Sequence, residues 1–387
     1  MEKYLYIIDH ILFGILGISV TYLFIFSFFS FIIKQKRYKL SAKKGKCLVL
    51  IPAFKEDKVI IDSVNSLTEQ DYPVDLYEVV VISDQMEDET NQSLSKLRVN
   101  LMTINPFKSS KAYALNFAIN NLNKNDFDFV IILDADNIVE KDFISDVNDA
   151  FQFGITAVQT HRVAKEPKSD IAVLDAFSEE INNSIFRLGH VNLGLSSALI
   201  GSGMAFSYDW FVKNVQKLTT SWEDKELELL LFKEGIFIEY LSYVYVYDQK
   251  TEKQKSFYNQ RRRWLASQFS SLSSGIKDLG YAVKNLRLDY LDKLFQWLLL
   301  PRVILIGLIS VITVIISLIS IELSVKWWVL LLILFFTLAA AVPDDMISLR
   351  NLKSLIKLPV LFILMFLNFF RLKGAGRTFI HTQKGKT

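Results

Sequence analysis

Two aspartates one residue apart, Asp134 and Asp136, follow the apolar run Val130-Ile131-Ile132-Leu133. At a strand end such a pair presents two carboxylates to one site. Carboxylates and phosphate oxygens are the usual ligands of Mg2+ or Mn2+, cations that offset the charge of a departing diphosphate. Alone, the same pair also reads as a cap or a solvated turn. A second acidic pair lies in Ser221-Trp222-Glu223-Asp224, ahead of an apolar helix beginning near Leu227. Its plain reading is an acidic first helical turn favoured by the dipole. Its chemical reading is a general base that takes the proton from an attacking hydroxyl. A third element, Gln260-Arg261-Arg262-Arg263-Trp264, reads as a basic helix start. Arginine there can hold a diphosphate, and tryptophan can form an apolar platform.

These residues need a scaffold, and the middle of the chain supplies the pattern of one. Short apolar runs at 47–51, 78–83, 101–104, 129–133 and 156–160 alternate with helical patterns at 58–69, 110–121 and 142–151. Such alternation predicts an α/β fold with a mostly parallel sheet and helices on both faces. In open sheets of this kind ligands bind beyond the carboxyl ends of the strands. Pro52-Ala53-Phe54-Lys55-Glu56, Asp84 and Asp134-Ala135-Asp136 all follow strands. From Gln260 onward, Leu265, Phe269, Leu272, Ile276 and Leu279 recur at helical spacing, as in a membrane-surface helix or a packed one.

The ends of the chain are different. Of its 387 residues 51% are hydrophobic and 22% charged, and the apolar excess is concentrated at the two termini. Residues 11–33 contain no charge and suffice to span a bilayer. The block after them, Lys34, Lys36, Arg37, Lys39, Lys43, Lys44 and Lys46, contains no acid, which places that side in the cytosol. Residues 303–321 and 327–343 read as two further spans joined by a tight external loop at 322–326. Residues 358–370 are apolar but short, as in an interfacial or re-entrant segment, which leaves the basic tail (Arg371, Lys373, Arg377, Lys384, Lys386) in the cytosol. This arrangement describes a multi-pass protein of the cell inner (plasma) membrane with its soluble domain cytosolic. A net charge of +3 argues against nucleic acid as a partner of the whole chain. The single cysteine, Cys47, excludes an intrachain disulfide and a cysteine-built zinc site.

Taken in order and spacing, the three polar elements resemble the inverting membrane glycosyltransferases of glycosyltransferase family 2: cellulose, chitin, hyaluronan, poly-N-acetylglucosamine and nodulation-type chitooligosaccharide synthases. Their pattern is D, D-x-D, x-E-D, Q-x-x-R-W, and the resemblance covers roughly residues 47–268. It implies a GT-A-type, Rossmann-like domain with N- and C-terminal transmembrane helices and interfacial helices. The expected division is a transmembrane helix over 1–34, the cytosolic GT-A domain over 35–255, and amphipathic interfacial helices over 256–292. A region with two spans, a re-entrant or interfacial segment and the basic tail then fills 293–387.

The resemblance also implies roles. Glu56 lies in a version of the P-A-x-N-E turn, with Lys55 in place of asparagine, and would sit near the nucleoside. Asp84 would meet the uracil or ribose, and Lys111, in Lys111-Ala112-Tyr113-Ala114-Leu115-Asn116, the nucleotide. Asp134 would face the donor sugar and nucleotide, and Asp136 would hold the metal, Mg2+ or Mn2+. Asp224 would be the catalytic base with Glu223 beside it. Gln260 and Arg263 would close over the diphosphate and Trp264 over the acceptor terminus, with Gly201 and Gly203 forming the acceptor-site turn. Phe379-Ile380-His381-Thr382-Gln383-Lys384 resembles the family's tail motif. Trp222 departs from the threonine common before Glu-Asp, which bears on the acceptor. His161 and Arg162 read either as acceptor-facing or, for the histidine, as structural.

The implied reaction is inverting transfer from a UDP-sugar to a growing β-linked polysaccharide or oligosaccharide. The alternative acceptor is a lipid that takes one sugar, as in ceramide glucosyltransferases. Partners would be the UDP-sugar donor, a glycan or lipid-linked acceptor and membrane lipid. Three spans make a thin channel wall, so a homo-oligomer or a secretion partner would fit polymer export.

Overall fold

The computed structural model describes residues 2–33, 35, 37–107, 109–122, 127–250 and 254–369. The chain opens with α1 (Glu2–Ile32), β1 (Cys47–Phe54), α2 (Ile60–Thr68), β2 (Tyr77–Asp84), α3 (Asp88–Leu94), β3 (Asn100–Ile104) and α4 (Lys111–Asn121). It continues through β4 (Phe129–Ile132), β5 (Ile138–Val139), α5 (Phe143–Gln152), β6 (Ala157–Ala164), α6 (Asp170–Asn183), α7 (His190–Asn192) and β7 (Met204–Ser207). Then come α8 (Tyr208–Val215), α9 (Glu223–Glu234), β8 (Ile238–Asp248), α10 (Gln254–Gly275), α11 (Leu279–Lys284) and α12 (Leu288–Leu298). The last helices are α13 (Arg302–Ile319), α14 (Ile321–Ala340), α15 (Leu349–Lys353) and α16 (Leu358–Phe369).

The strands form one eight-stranded sheet in the order β3-β2-β1-β4-β7-β6-β8-β5. Pairings β1–β2, β1–β4, β2–β3 and β6–β8 are parallel, whereas β7 runs against β4 and β6, and β5 against β8. The sheet is the mostly parallel α/β layer that the alternating pattern predicts, and β5, β7 and β8 are strands beyond the expected five. β1 and β4 are apolar and buried along nearly their whole length, as central parallel strands are. One face packs Leu48, Leu50, Val130, Ile132 and Leu115, and the other packs Val49, Ile51, Ile131, Ile60 and Val147.

Gly203 fixes the turn into β7. Its φ is +65°, and an added Cβ would lie 2.2 Å from Thr160 Oγ1 and 3.2 Å from Val246 Cγ2. Thr160 Oγ1 also donates to the Gly203 carbonyl at 3.0 Å. The residue is therefore required by a close approach of two strands.

Four helical runs are long and apolar enough to cross a membrane: Tyr6–Ile32, Arg302–Ile319, Ile321–Ala340 and Leu349–Phe369. Two expectations are corrected here. Residues 322–326 are not a loop, because α14 begins at Ile321 with Ser320 as its cap (Leu323 N to Ser320 Oγ, 3.3 Å). Their charge is tolerated in the helix because Lys326 pairs with the buried Asp9 of α1, which also accepts from Trp327 Nε1 at 2.7 Å. The segment near 358–370 is longer than its apolar core suggests: α15, a tight turn and α16 run from 349 to 369, 21 residues in all. This run keeps close to α10, since Leu361 clusters with Phe257, and the Phe269 and Phe369 rings lie 5.8 Å apart. Lys34, Lys36, residue 370 and the basic tail with its 379–384 motif lie outside the described residues.

The expected apolar stripe runs past the end of α10 and divides: Leu265 and Leu272 of α10 are buried, whereas Phe269 of α10, Ile276 of the following turn and Leu279 of α11 remain exposed.

Gly203→Ala should lower stability by about 2 kcal/mol or more, because φ and space both oppose a side chain. Gly280→Ala in α11, where nothing lies within 4 Å of the added carbon, should be neutral or slightly stabilising. Thermal unfolding of both variants in detergent checks this, and equal melting temperatures would contradict it.

Candidate active site

The carboxyl ends of β1, β2 and β4 open into a cavity of about 540 Å³. β1 delivers Pro52, Ala53 and Phe54 to its wall and, through the following turn, Glu56; β2 delivers Asp84; the turn after β4 delivers Asp134 and Asp136. Lys55 and Gln85 follow β1 and β2 with φ of +54° and +53°. This left-handed region is one that asparagine adopts more readily than lysine. Asp84 is almost fully buried, and its Oδ1 has no hydrogen-bond partner among the described residues. Burial raises its pKa above the usual aspartate value, against the opposing influence of Ser109 and Lys55. An unfilled acceptor of this kind suits the donor groups of a nucleoside.

Lys111 stands at the centre. Ser110 caps α4 by accepting from Tyr113 N at 3.1 Å, which starts the helix so that Lys111 enters the cavity. Its Nζ donates to Asp134 Oδ1 and to the Gly201 carbonyl, each at 2.5 Å, and lies 3.7 Å from Glu223 Oε1. The D-x-D and E-D pairs, nearly 90 residues apart in sequence, therefore meet on one ammonium. Burial works against the charge of Lys111, but Asp134 and Glu223 outweigh it and hold its pKa above the ordinary lysine value. Burial pushes Glu223 up to about 7, opposed by Lys111 and reinforced by Asp224. Asp134 N donates to Asn137 Oδ1 at 2.9 Å and to Ser202 Oγ at 3.1 Å, which fixes the turn.

Gly201, at φ +81°, lies against the acidic pair, since a Cβ there would be 3.7 Å from Glu223 Oε1 and 4.0 Å from Asp224 Oδ2. It lines the cavity; Gly203 does not, and its place is the strand contact described above. The expectation that Gly203 touches an acceptor gives way to that packing role.

α10 brings Gln260, Arg263 and Trp264 to the same cavity. The Arg263 guanidinium lies over the Trp222 ring at 5.9 Å, and burial lowers its pKa. Trp222, the departure from threonine, thus packs on the arginine of Q-x-x-R-W. Gln260 Oε1 is buried without a hydrogen-bond partner among the described residues. Every residue expected at the site except Gly203 lines this one cavity: Glu56, Asp84, Lys111, Asp134, Asp136, Gly201, Glu223, Asp224, Gln260, Arg263 and Trp264.

Sequence reasoning missed a buried ionic cluster on another wall. Glu179 of α6 accepts from Arg162 at 2.8 Å and Arg187 at 3.3 Å, and Lys250 lies 3.5 Å away. Burial opposes the Glu179 carboxylate, but these cations hold its pKa well below the usual value. The members lie on separate elements, and no local spacing signals them. His161 is satisfied by the Ser242 carbonyl at 2.8 Å and Glu180 Oε2 at 3.0 Å, the structural role of the two read from sequence.

Among the described residues, no three His, Cys, Asp or Glu groups gather as a ready-made cation site. Lys111 occupies Asp134, and Asp136 adds a second carboxylate to the cavity wall, a hard oxygen donor of the type that fits a divalent cation beside phosphate oxygens.

The sequence profile described as "Glycosyltransferase like family 2" matches residues 45–267, more than half the chain. The protein belongs to glycosyltransferase family 2. The cavity lies inside the matched region apart from the wall built by residues 268–303 and Met365. A Methanococcus voltae relative, named dolichyl N-acetyl-alpha-D-glucosaminyl phosphate 3-beta-D-2,3-diacetamido-2,3-dideoxy-beta-D-glucuronosyltransferase, is 29% identical over 109 residues, 27% of this chain and 33% of its own. The Staphylococcus aureus poly(ribitol-phosphate) beta-N-acetylglucosaminyltransferase TarS is 28% identical over 102 residues, 26% of this chain and 18% of its own. The match thus spans a third or less of either relative. In three dimensions the chain is similar to a mannosyltransferase from Pyrobaculum calidifontis solved with GDP-Man and Mn2+. The TM-score is 0.53 at 14% identity, with 89% of this chain and 98% of that one covered, which establishes a shared fold.

The raised pKa of Glu223 has a stability consequence for this family 2 protein. Between the ordinary value of 4.5 and about 7 the folded protein binds more protons than the unfolded chain. Stability without nucleotide should therefore fall as pH rises through that window. Glu223→Gln should flatten the fall, read as a smaller difference in Tm between pH 5 and pH 8. An unchanged difference would show that Glu223 titrates normally.

Proposed function

We propose that the protein transfers a sugar from a UDP-sugar to a hydroxyl of a glycan acceptor at the cytosolic face of the cell inner membrane, with inversion at the anomeric carbon. The observation that carries this reading is the Lys111 bridge, which draws the D-x-D and E-D carboxylates into a cavity shared with Gln260, Arg263 and Trp264. In this reading Asp84 receives a donor group of the nucleoside, and Glu56 lines the same end. Asp224 takes the proton of the attacking hydroxyl. The oxygen attacks from the face opposite the diphosphate, so an α-linked donor gives a β-linked product. Arg263 binds the diphosphate as it departs. Trp264 is the platform that holds the acceptor end within reach, where positioning contributes several kcal/mol. A divalent cation, Mg2+ or Mn2+, held by Asp136 supplies neutralisation of phosphate charge when bound. The Mn2+ and GDP-Man of the mannosyltransferase support a metal and a nucleotide-sugar donor here.

Two acceptors fit. A growing β-linked polysaccharide or oligosaccharide accords with the synthase-like motifs and would draw on a second copy or a secretion partner for export. A lipid-linked acceptor is favoured by a specific observation: the cavity meets an apolar groove between α13 and α16 at Leu300. The dolichyl N-acetyl-alpha-D-glucosaminyl phosphate in the name of the archaeal relative supports the same reading. The course of 349–369 beside α10 supports an interfacial position for that run, with the tail kept on the cytosolic side.

Asp224→Asn should reduce transfer by a hundredfold or more while changing UDP affinity less than twofold. Asp136→Ala should abolish the gain in UDP affinity that Mn2+ gives. Single-turnover transfer and calorimetric titration of UDP with and without Mn2+ measure both. Wild-type transfer by the Asp224 variant would reassign the base, and an unaltered Mn2+ gain would remove Asp136 from the metal site. Sizing the products separates a polymer from one sugar on an extractable lipid.

A further inference from the structure

The cavity does not end at the acceptor platform. Val303 and Met365 line it on the membrane side, and the next residues on the same helices, Ile304 and Phe366, line a separate groove of about 400 Å³. Leu300 belongs to both. The groove walls are six apolar side chains: Leu300 ahead of α13, Ile304 and Leu308 on α13, and three from α16. Gly307 seats the Phe362 ring where a Cβ would come within 2.2 Å of it, so α13 and α16 are pressed together along the groove. Along α13 the wall rises about 6 Å from Ile304 to Leu308, and Leu300 carries it on to the cavity, as a slot for a hydrocarbon chain would.

Two cations stand where the groove meets the cavity. Arg302 Nη2 donates to the Ser178 carbonyl and Oγ, both at 2.9 Å, and Arg261 Nη1 donates to the same Oγ at 3.4 Å. Arg261 also pairs with Asp175, whereas Arg302 forms no ion pair among the described residues. Arg302 Nη1 and Arg261 Nε are buried without a hydrogen-bond partner among those residues. A buried guanidinium donor left unmatched is costly, and a phosphate oxygen is the acceptor it fits best. These arginines are held by α6, apart from Arg263, which packs on Trp222. An apolar slot that leads into a cationic collar beside a sugar-transfer cavity matches one kind of molecule.

We propose that the acceptor is a phosphate-bearing lipid, its hydrocarbon chain in the α13/α16 groove and its phosphate on Arg302 and Arg261. The assignment rests on reading the cavity as the transfer site, and it adds the acceptor's class and anchoring residues. It requires the chain and the phosphate in one molecule, which separates it from ordinary occupancy by bilayer lipid.

The full chain in dodecyl maltoside is labelled with a 16-carbon alkyl phosphate carrying a diazirine at the chain end, and the labelled peptides are mapped. Labelling should fall within 300–308 or 358–369, and unlabelled hexadecyl phosphate should displace it at least tenfold better than hexadecanol or phosphatidylcholine. Arg302→Gln should weaken labelling at least tenfold and Arg302→Lys less than threefold. Leu308→Trp, which fills the groove, should also weaken it. Calorimetric UDP binding in each variant confirms that the domain is folded. Equal displacement by the alcohol or by phosphatidylcholine, labelling elsewhere, or indifference to Arg302→Gln would overturn the proposal. Failure of the wild-type protein to bind UDP, with labelling as expected, would instead overturn the transferase reading and leave the lipid site standing.

Discussion

Four carboxylates crowd one end of this sheet, and a single ammonium makes the crowd stable. Lys111 joins Asp134 to Glu223 and bonds the Gly201 carbonyl between them. Two unit charges about 4 Å apart in a protein interact by on the order of 4 kcal/mol at an effective dielectric near 20. Attraction of that size sets the order of arrangement, and without the lysine the same carboxylates would repel. The remaining features follow from this one. Gly201 holds its turn at a φ of +81° that strains any other residue, with the acidic pair in ordinary contact beside it, and α9 begins at Glu223 so that both acids reach the cavity. Glu223 remains the strained member, buried and close to Asp224, and its raised pKa records that strain.

The cavity's frame is fastened to α1, the first of the helices long and apolar enough to cross a membrane, by a polar joint. Tyr22 Oη donates to Asp292 Oδ1 at 2.6 Å and shares a 2.8 Å hydrogen bond with His190 Nε2. The His190 ring stacks on Phe26 at 3.6 Å, and Gly189 approaches the Phe26 carbonyl so closely that a Cβ would fall 2.1 Å from it. α1, α7 and α12 are thus locked at one level. α10 packs against α12 and carries Q-x-x-R-W, so the position of Arg263 and Trp264 over the cavity depends on the same joint. The shape of the cavity is then a property of how the helices meet as well as of the sheet.

Much of this was legible in the residue order. Strand ends show where apolar runs stop, so Asp84, Asp134 and Asp136 could be placed at the mouth of a sheet before any coordinates. The family motifs added Lys111, Asp224 and the α10 residues, and all of them line the cavity. Other features carried no local mark. Gly203 has the look of an acceptor turn, yet its reason is Thr160 on a neighbouring strand. Residues 322–326 look like a charged loop because Asp9, more than 300 positions away, is invisible to a window of sequence. The Glu179 cluster draws on β6, α6 and the segment after β8, which come together only once β6 and β8 pair.

The sequence by itself determined what is set by short-range pattern: the buried strands, the apolar helices, the sign of charge beside them and the chemical type of each candidate residue. Tertiary structure decided what depends on pairing across the chain. It chose Lys111 as the bridge between two acidic motifs, Trp222 as the support of Arg263, and α13 with α16 as the walls of a groove that shares Leu300 with the site. The physical reason is that burial and periodicity act over a few residues. Electrostatic and steric fit act between whichever residues the folded chain brings within a few ångströms.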